Sequence, residues 1–169
     1  MLKVLFVASE AAPFIKTGGL ADVAGALPRA LLAKGIDARV IIPKYGAIKA
    51  GFQHEMQTQW TGMLKLAWRQ QYCGILKLTV SKLTTYFVDN EFYFKRNKLY
   101  GYGDDAERFA FFSRAVLAAL PHLDFQPDII HCNDWHTGMV GVYLREEFAR
   151  DAFYKNIKLV YTIHNLKYQ

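Results

Sequence analysis

Residues 3–31 read KVLFVASEAAPFIKTGGLADVAGALPRAL, and their reading decides the fold. The opening run, Lys3-Val4-Leu5-Phe6-Val7-Ala8, is almost wholly apolar and of strand length, as suits a strand buried on both faces of a parallel sheet. A loop then leads to Gly18 and Gly19. Over residues 20–34 the apolar side chains Leu20, Val23, Ala24, Leu27 and Leu31 recur at three- and four-residue spacing, the period of an amphipathic helix. Pro28 objects locally, because proline inside a helix removes a hydrogen bond and crowds the preceding turn. The pattern therefore predicts either a kink at Pro28 or a helix that starts at Ala26. Gly35 is the expected stop, and residues 38–42 make a second strand closed by Pro43. Strand, glycine turn, helix, strand is a βαβ unit.

Outward from that unit the same logic continues. Residues 44–58 are polar and read as irregular. Residues 60–66 and 73–80 read as an antiparallel pair of strands, and 84–88 as another strand. Residues 91–103, rich in aromatics and glycine, read as a loop. Asp104 is placed to cap a helix that runs to about Leu120, with Glu107 three residues on as in a capping box, and Pro121 ends it. Residues 128–132 are a buried strand, 137–149 a helix and 158–163 the last strand. The expected fold is α/β: Rossmann-like, doubly wound, with a mainly parallel sheet and an antiparallel excursion between about Trp60 and Val80. No repeat or linker interrupts the chain, so residues 1–169 read as one domain.

Composition narrows the class. The chain has 169 residues, 52% of them hydrophobic, enough for one core and too apolar for a disordered chain. No apolar run could span a bilayer. The first run is too short for a signal-peptide core and is followed by Glu10. A soluble, cytoplasmic protein without a membrane partner is expected. The formal charge of +6 is spread over scattered residues with no run of five, which gives no nucleic-acid stripe. A moderately basic cleft for an anionic nucleotide explains the charge equally well. Cys73 and Cys132 stand outside any CxxC pair and read as buried free thiols.

The polar residues point to a site. After the first strand come Ser9, Glu10 and Lys16-Thr17-Gly18-Gly19; after the 84–88 strand, Asp89 and Asn90; after the 128–132 strand, Asn133, Asp134 and His136; after the last, His164 and Asn165. An open parallel sheet binds ligands beyond its C-terminal strand ends. In the Lys16–Gly19 loop, glycines let backbone N–H groups approach an anion, a helix N-terminus adds partial positive charge, and Lys16 adds a full one. A plain turn with a solvated lysine is the competing reading. His136, at a strand-to-helix turn, could bond a substrate hydroxyl or cap the helix. His131, on an apolar strand, reads as a core residue. Phe92-Tyr93-Phe94 could stack on a sugar, but ordinary packing explains it better. The histidines and Asp89, Asp104, Asp105 and Asp134 lack HExxH, CxxC or EF-hand spacing, so no metal is expected.

Taken together, these blocks resemble a known family. Residues 3–31, Leu99-Tyr100-Gly101, GDDAERFAFFSRA from Gly103, PDIIHCNDWHTG from Pro127 and the closing YTIHNLKYQ are similar, in this order, to bacterial glycogen synthases and plant starch synthases. The resemblance covers nearly the whole chain. Gly141, Lys167 and Asn97 depart from the family's common proline, alanine and aspartate, outside the core motifs. The resemblance implies a retaining glucosyltransferase that moves glucose from ADP-glucose to the non-reducing end of an α-1,4-glucan, without a cofactor. It implies that this is the N-terminal half of a longer two-domain enzyme, with a C-terminal nucleotide-binding domain absent from these residues. It also implies roles. Lys16, with Gly18 and Gly19, meets the donor phosphates, and His136, a catalytic group, bonds the transferred glucose. Asp104, the second catalytic group, and Asn165 line the sugar and acceptor part of the cleft, and Asp22 positions the acceptor or the loop.

Two other readings compete. A non-catalytic glucan-binding or regulatory module would keep the fold without a partner domain. A nucleotide-binding oxidoreductase would carry GxGxxG after the first strand and an acidic residue ending the second, which instead ends Ile42-Pro43-Lys44.

Overall fold

The structure, a computed structural model, describes residues 1–165. Among them seven strands form one sheet: β1 (Lys3–Val7), β2 (Asp37–Pro43), β3 (Gln57–Leu66), β4 (Arg69–Val80), β5 (Leu83–Asp89), β6 (Ile129–Asn133) and β7 (Lys158–Thr162). Their order across the sheet is β3-β4-β5-β2-β1-β6-β7. From β5 to β7 every neighbouring pair is parallel. β4 runs antiparallel to both β3 and β5. The expected α/β sheet with its antiparallel excursion is what forms.

The apolar runs explain which strands lie inside. β1 sits inside the sheet between β2 and β6, and Leu5, Phe6 and Val7 are at most 1% exposed, because helices cover both faces of a parallel sheet. β2 leaves β1 on one side and β6 flanks it on the other. The chain thus reverses its winding between β1 and β6, and a crevice opens beyond their C-terminal ends.

Among the described residues five α-helices accompany the sheet: α1 (Gly19–Ala33), α2 (Ala50–Glu55), α3 (Glu91–Phe94), α4 (Asp105–Ala119) and α5 (Gly138–Glu146). α1 starts at Gly19, not Ala26, and runs through Pro28. Leu20, Ala21 and Ala24 bury before the proline, and Pro28 buries with them, so packing holds the turn that propensity alone would break. Gly35, at φ +79°, ends the helix: its N–H bonds Leu32 O and that of Ile36 bonds Leu31 O, a Schellman closure. At Gly25 a Cβ would come within 2.7 Å of Ala12 O, so glycine lets α1 approach the loop after β1.

Four expectations need correction. Residues 44–58 are not wholly irregular: α2 forms there, too short for periodicity to show, with Phe52 packed edge-on against Phe14. Residues 91–103 include the single turn α3, capped by Asn90, whose side-chain oxygen accepts from Tyr93 N at 2.9 Å. The capping box at 104–107 does not form. Asp104 is the N-cap residue of α4 but is drawn off by Arg96, and Glu107 bonds the Tyr93 hydroxyl and Arg69. The last helix is also shorter than 137–149. Residues Trp135–Thr137 form a 3-10 turn before α5, which closes where Glu147 N and Phe148 N both bond Tyr143 O. Tyr93 and Phe94 are fully buried, so that aromatic cluster is core; Phe92 alone is exposed. Both cysteines are free and buried.

Candidate functional site

A cleft of about 810 Å³ opens at the β1/β6 crevice. The end of β1 supplies Glu10, the start of α1 supplies residues 17–20 and Val23, and the end of β6 supplies Asp134, Trp135 and His136. His164 and Asn165 come from beyond β7, Tyr100 and Gly101 from the loop before α4, and Asp105 from the first residue of α4. β5 contributes nothing to this lining. Asp89 instead pairs with Lys44 at 3.2 Å, and Asn90 caps α3, because β5 lies two strands away from β1.

The glycine loop is shaped by Glu10. This carboxylate is 2% exposed, and its Oε2 accepts from Thr17 N at 2.5 Å and Thr17 Oγ1 at 2.8 Å. That clamp delivers the chain to Gly18, the N-cap of α1, in extended conformation and with no side-chain cap. The first-turn N–H groups of α1 therefore have no capping side chain, the usual setting for an anion. Neither Gly18 nor Gly19 has positive φ, so a tight turn does not demand glycine here. A Cβ at Gly19 would meet nothing within 4 Å, and one at Gly18 only Glu10 Oε1 at 3.9 Å. What glycine supplies at these two positions is backbone open to the cleft.

The turn after β6 is strained and aimed. Asp134 has φ +64°, in the left-handed region that costs a non-glycine residue about 1–3 kcal/mol. Its carbonyl accepts from Thr137 N at 3.0 Å and Thr137 Oγ1 at 2.9 Å, and its carboxylate accepts from Trp135 N at 3.1 Å. These bonds hold the turn that carries His136. The imidazole lies 3.9 Å from the Trp135 ring, 4.5 Å from Tyr100 and 4.7 Å from Phe109, between centroids. Burial lowers its pKa to about 3, aided by the positive Arg108, so His136 is neutral at physiological pH. Both ring nitrogens are buried, and among the described residues no group bonds either one. A buried polar group left so costs about 1–3 kcal/mol, a cost a ligand hydroxyl can remove.

Behind the cleft, Arg108 is fully buried. It donates from Nε to Tyr93 O at 2.8 Å and from Nη1 to Leu99 O at 3.0 Å, and it pairs with Asp105. Asp105 Oδ2 accepts from Gly101 N at 2.7 Å and Tyr102 N at 3.2 Å. The pair thus shapes the loop that brings Tyr100 and Gly101 to the cleft. Burial, then the negative charge of Glu10, pushes the Tyr100 phenol up, and its hydroxyl shares a 2.8 Å hydrogen bond with Ser9 Oγ. On the β7 side, Asn133 Nδ2 donates to Val7 O and His131 O, so its Oδ1 accepts from His164 Nε2 at 3.0 Å. His131 pairs with Thr162 Oγ1 at 2.7 Å and packs on Phe6, a structural role.

Of the residues singled out from sequence, the structure brings Gly18, Gly19, His136 and Asn165 together on the cleft. It does not bring Lys16, Asp22 or Asp104 onto that lining. Lys16 and Asp22 pair with each other at 2.7 Å beside it. Asp104 pairs with Arg96 at 2.6 Å, which holds its carboxyl below the usual range. The neighbouring Asp105 faces the cleft instead. Glu10, Thr17, Tyr100 and Trp135 complete the site. Glu10 stood at a strand end and Tyr100 inside the Leu99-Tyr100-Gly101 block, so each had a signal, but neither had a sequence-level reason to point inward. Among the described residues, no cluster of three or more His, Cys, Asp or Glu converges as a metal site, and no helix is long and apolar enough to cross a membrane.

Comparison with known proteins agrees on one family. The family described as the starch synthase catalytic domain matches residues 3–169. A glycogen synthase from Desulforamulus reducens is 57% identical over 168 residues, covering 99% of this chain and 35% of its own length. A glycogen synthase from Clostridium perfringens is 57% identical over 169 residues, with 100% and 35% covered. Among solved structures, the catalytic domain of starch synthase IV from Arabidopsis thaliana, bound to ADP and acarbose, superposes with a TM-score of 0.91 at 32% identity. It covers 99% of this chain, which spans 35% of the plant chain.

Proposed function

The chain belongs to the starch synthase catalytic domain family, and from that premise we propose that its cleft is one wall of a glucosyltransferase active site. The reaction is transfer of glucose from ADP-glucose to the non-reducing end of an α-1,4-glucan, with retention of configuration. The other wall is a C-terminal nucleotide-binding domain of the same protein, and the enzyme works in the cytoplasm without a cofactor. The observation that carries this reading is His136: a neutral, buried imidazole whose nitrogens have no partner among the described residues, lining the same cleft as the uncapped start of α1. The Arabidopsis domain of the same fold binds ADP and acarbose, a nucleotide and a saccharide together.

The chemistry follows from that arrangement. The bond from glucosyl C1 to the diphosphate oxygen breaks, and C1 becomes oxocarbenium-like. Negative charge grows on the leaving phosphate, where the N–H groups of Gly18 and Gly19, the dipole of α1 and the charge of Lys16 stabilise it. The acceptor hydroxyl attacks C1 from the same face, and its proton passes to the departing phosphate oxygen, leaving ADP. His136 carries no charge. It holds a hydroxyl of the transferred glucose by a hydrogen bond that tightens as the ring flattens. Asn165, on the lining of the same cleft, bonds the sugar in this reading. Asp22 and Asp104 act at its edge, on the acceptor.

The test is direct. The complete protein, given ADP-glucose labelled in glucose and glycogen as acceptor, is expected to incorporate label as α-1,4-linked residues and release ADP. The 169 residues alone are expected to give none, because losing one preorganised donor typically costs about 100- to 1000-fold and several go at once. Glucan binding without incorporation by the complete protein would instead support a non-catalytic module.

A further inference from the structure

We propose that Tyr100 is a positioning residue for His136: its ring sets the plane of the imidazole, while the bound ligand, not the protein, decides which ring nitrogen carries the proton. The inference rests on the cleft being the transfer site.

A functional histidine usually has one ring nitrogen tied to a carboxylate or carbonyl, which chooses the tautomer and stops the ring from turning. His136 has no such tie among the described residues, where neither nitrogen is bonded by another group. Three aromatic rings hold it instead. Trp135 is its chain neighbour, and the two share the strained turn after Asp134. Phe109, on α4, meets it edge-on at 78°. Tyr100 comes from a separate loop and is anchored on its own account. Its hydroxyl bonds Ser9 at the end of β1, Leu99 O is held by Arg108, and Gly101 N is held by Asp105. Gly101, at φ +91°, gives the loop the turn that this anchoring needs. Tyr100 is therefore the element that ties the His136 ring to the β1 side of the cleft.

The consequence is a group of settled direction and unsettled polarity. A neutral imidazole offers one donor and one acceptor. With its plane held by rings and its proton unassigned, it can donate to or accept from a sugar hydroxyl, which does both. A ring N–H donated to a carboxylate would have forced one choice.

The experiment reads the proton directly. The chain carries five histidines, and the His136 signals in a ¹⁵N-histidine-labelled sample are assigned by their loss in His136→Gln. In the ligand-free wild-type chain, both His136 nitrogens are expected at shifts averaged between protonated and bare, whereas His164 shows its proton on Nε2. In the complete enzyme, Tyr100→Leu is expected to lower kcat about ten- to a hundredfold with donor KM within a few-fold, the cost of a misplaced group. Tyr100→Phe, which keeps the ring, should recover most of that loss. A single frozen tautomer for His136 in the wild type would overturn the proposal. So would Tyr100→Leu with unchanged kcat, or Tyr100→Phe as damaging as Leu. If Tyr100→Leu does not fold, the wild-type spectrum and the Tyr100→Phe kinetics decide. Absence of any transfer by the wild-type enzyme would refute the proposed function, and the tautomer spectrum would still judge this inference.

Discussion

Lys16 Nζ lies 2.8 and 2.7 Å from the two carboxylate oxygens of Asp22, in the first turn of α1. Both side chains are more than half exposed, 54% and 57%. An ion pair so placed is worth about 0–1 kcal/mol, so Lys16 can exchange Asp22 for a phosphate at little cost.

That exchange makes two opposite predictions for the complete enzyme. Lys16→Ala removes a charge-assisted contact worth about 1.5–3 kcal/mol, and donor affinity should weaken roughly ten- to hundredfold. Asp22→Asn releases the lysine, and donor affinity should hold or improve by up to about fivefold. Titration with ADP-glucose measures both. Unaltered affinity in Lys16→Ala would reduce the loop to a turn.

Burial of neutral His136 makes stability depend on pH with a definite sign. Its folded pKa of about 3 lies below its unfolded value of 6.5, so below 6.5 the unfolded chain binds a proton that the folded chain refuses. Stability is whole above 6.5 and falls with pH through the window down to about 3. The slope from this group is about 1.4 kcal/mol per pH unit. His131, also lowered by burial and by His164, adds in the same direction. Urea denaturation at about pH 7 and about pH 5.5 should show the loss in wild type and a smaller one in His136→Gln. Equal losses in the two proteins would mean that His136 is not buried neutral.

The two thiols should be inert in the folded protein. Burial pushes both Cys73 and Cys132 up to about 12. At about pH 8 only about one in ten thousand would be thiolate, the reactive form. Ellman's reagent should react with both in denaturant and with neither in native buffer; prompt release of one equivalent from native protein would contradict the burial.

How much of this the sequence carried depends on the length of the signal. The run 3–8, the two glycines and the 20–34 periodicity span enough residues to declare strand, turn and helix, and they place the β1 crevice. α2 and α3 have six and four residues, too few for a period to emerge, and their existence depends on contacts such as Phe52 on Phe14. The capping box failed because Arg96, Tyr93 and Arg69, remote in local pattern, claimed its two carboxylates. At the site, Gly18, Gly19, His136 and Asn165 were readable because they end strands or start helices. Asp104 and Asp105 are adjacent on one turn, and only the fold shows that Asp105 bonds the Tyr100–Gly101 loop. Tyr100 acts through His136, 36 residues away by number, a relation no local spacing encodes.

The central claim is that His136 works as a hydrogen-bonding group at the transferred glucose and not as a base. The measurement that bears on it most directly is kcat and donor affinity for His136→Ala and His136→Gln in the complete enzyme. His136→Ala should lower kcat strongly with donor affinity within a few-fold, the mark of an interaction made in the transition state. His136→Gln, whose amide can still donate, should recover part of the rate, and the wild-type rate should show no ionisation near the usual histidine value, consistent with a pKa of about 3. No recovery by Gln, together with a rate-controlling ionisation near that of histidine that disappears in both variants, would contradict the account and make His136 the base.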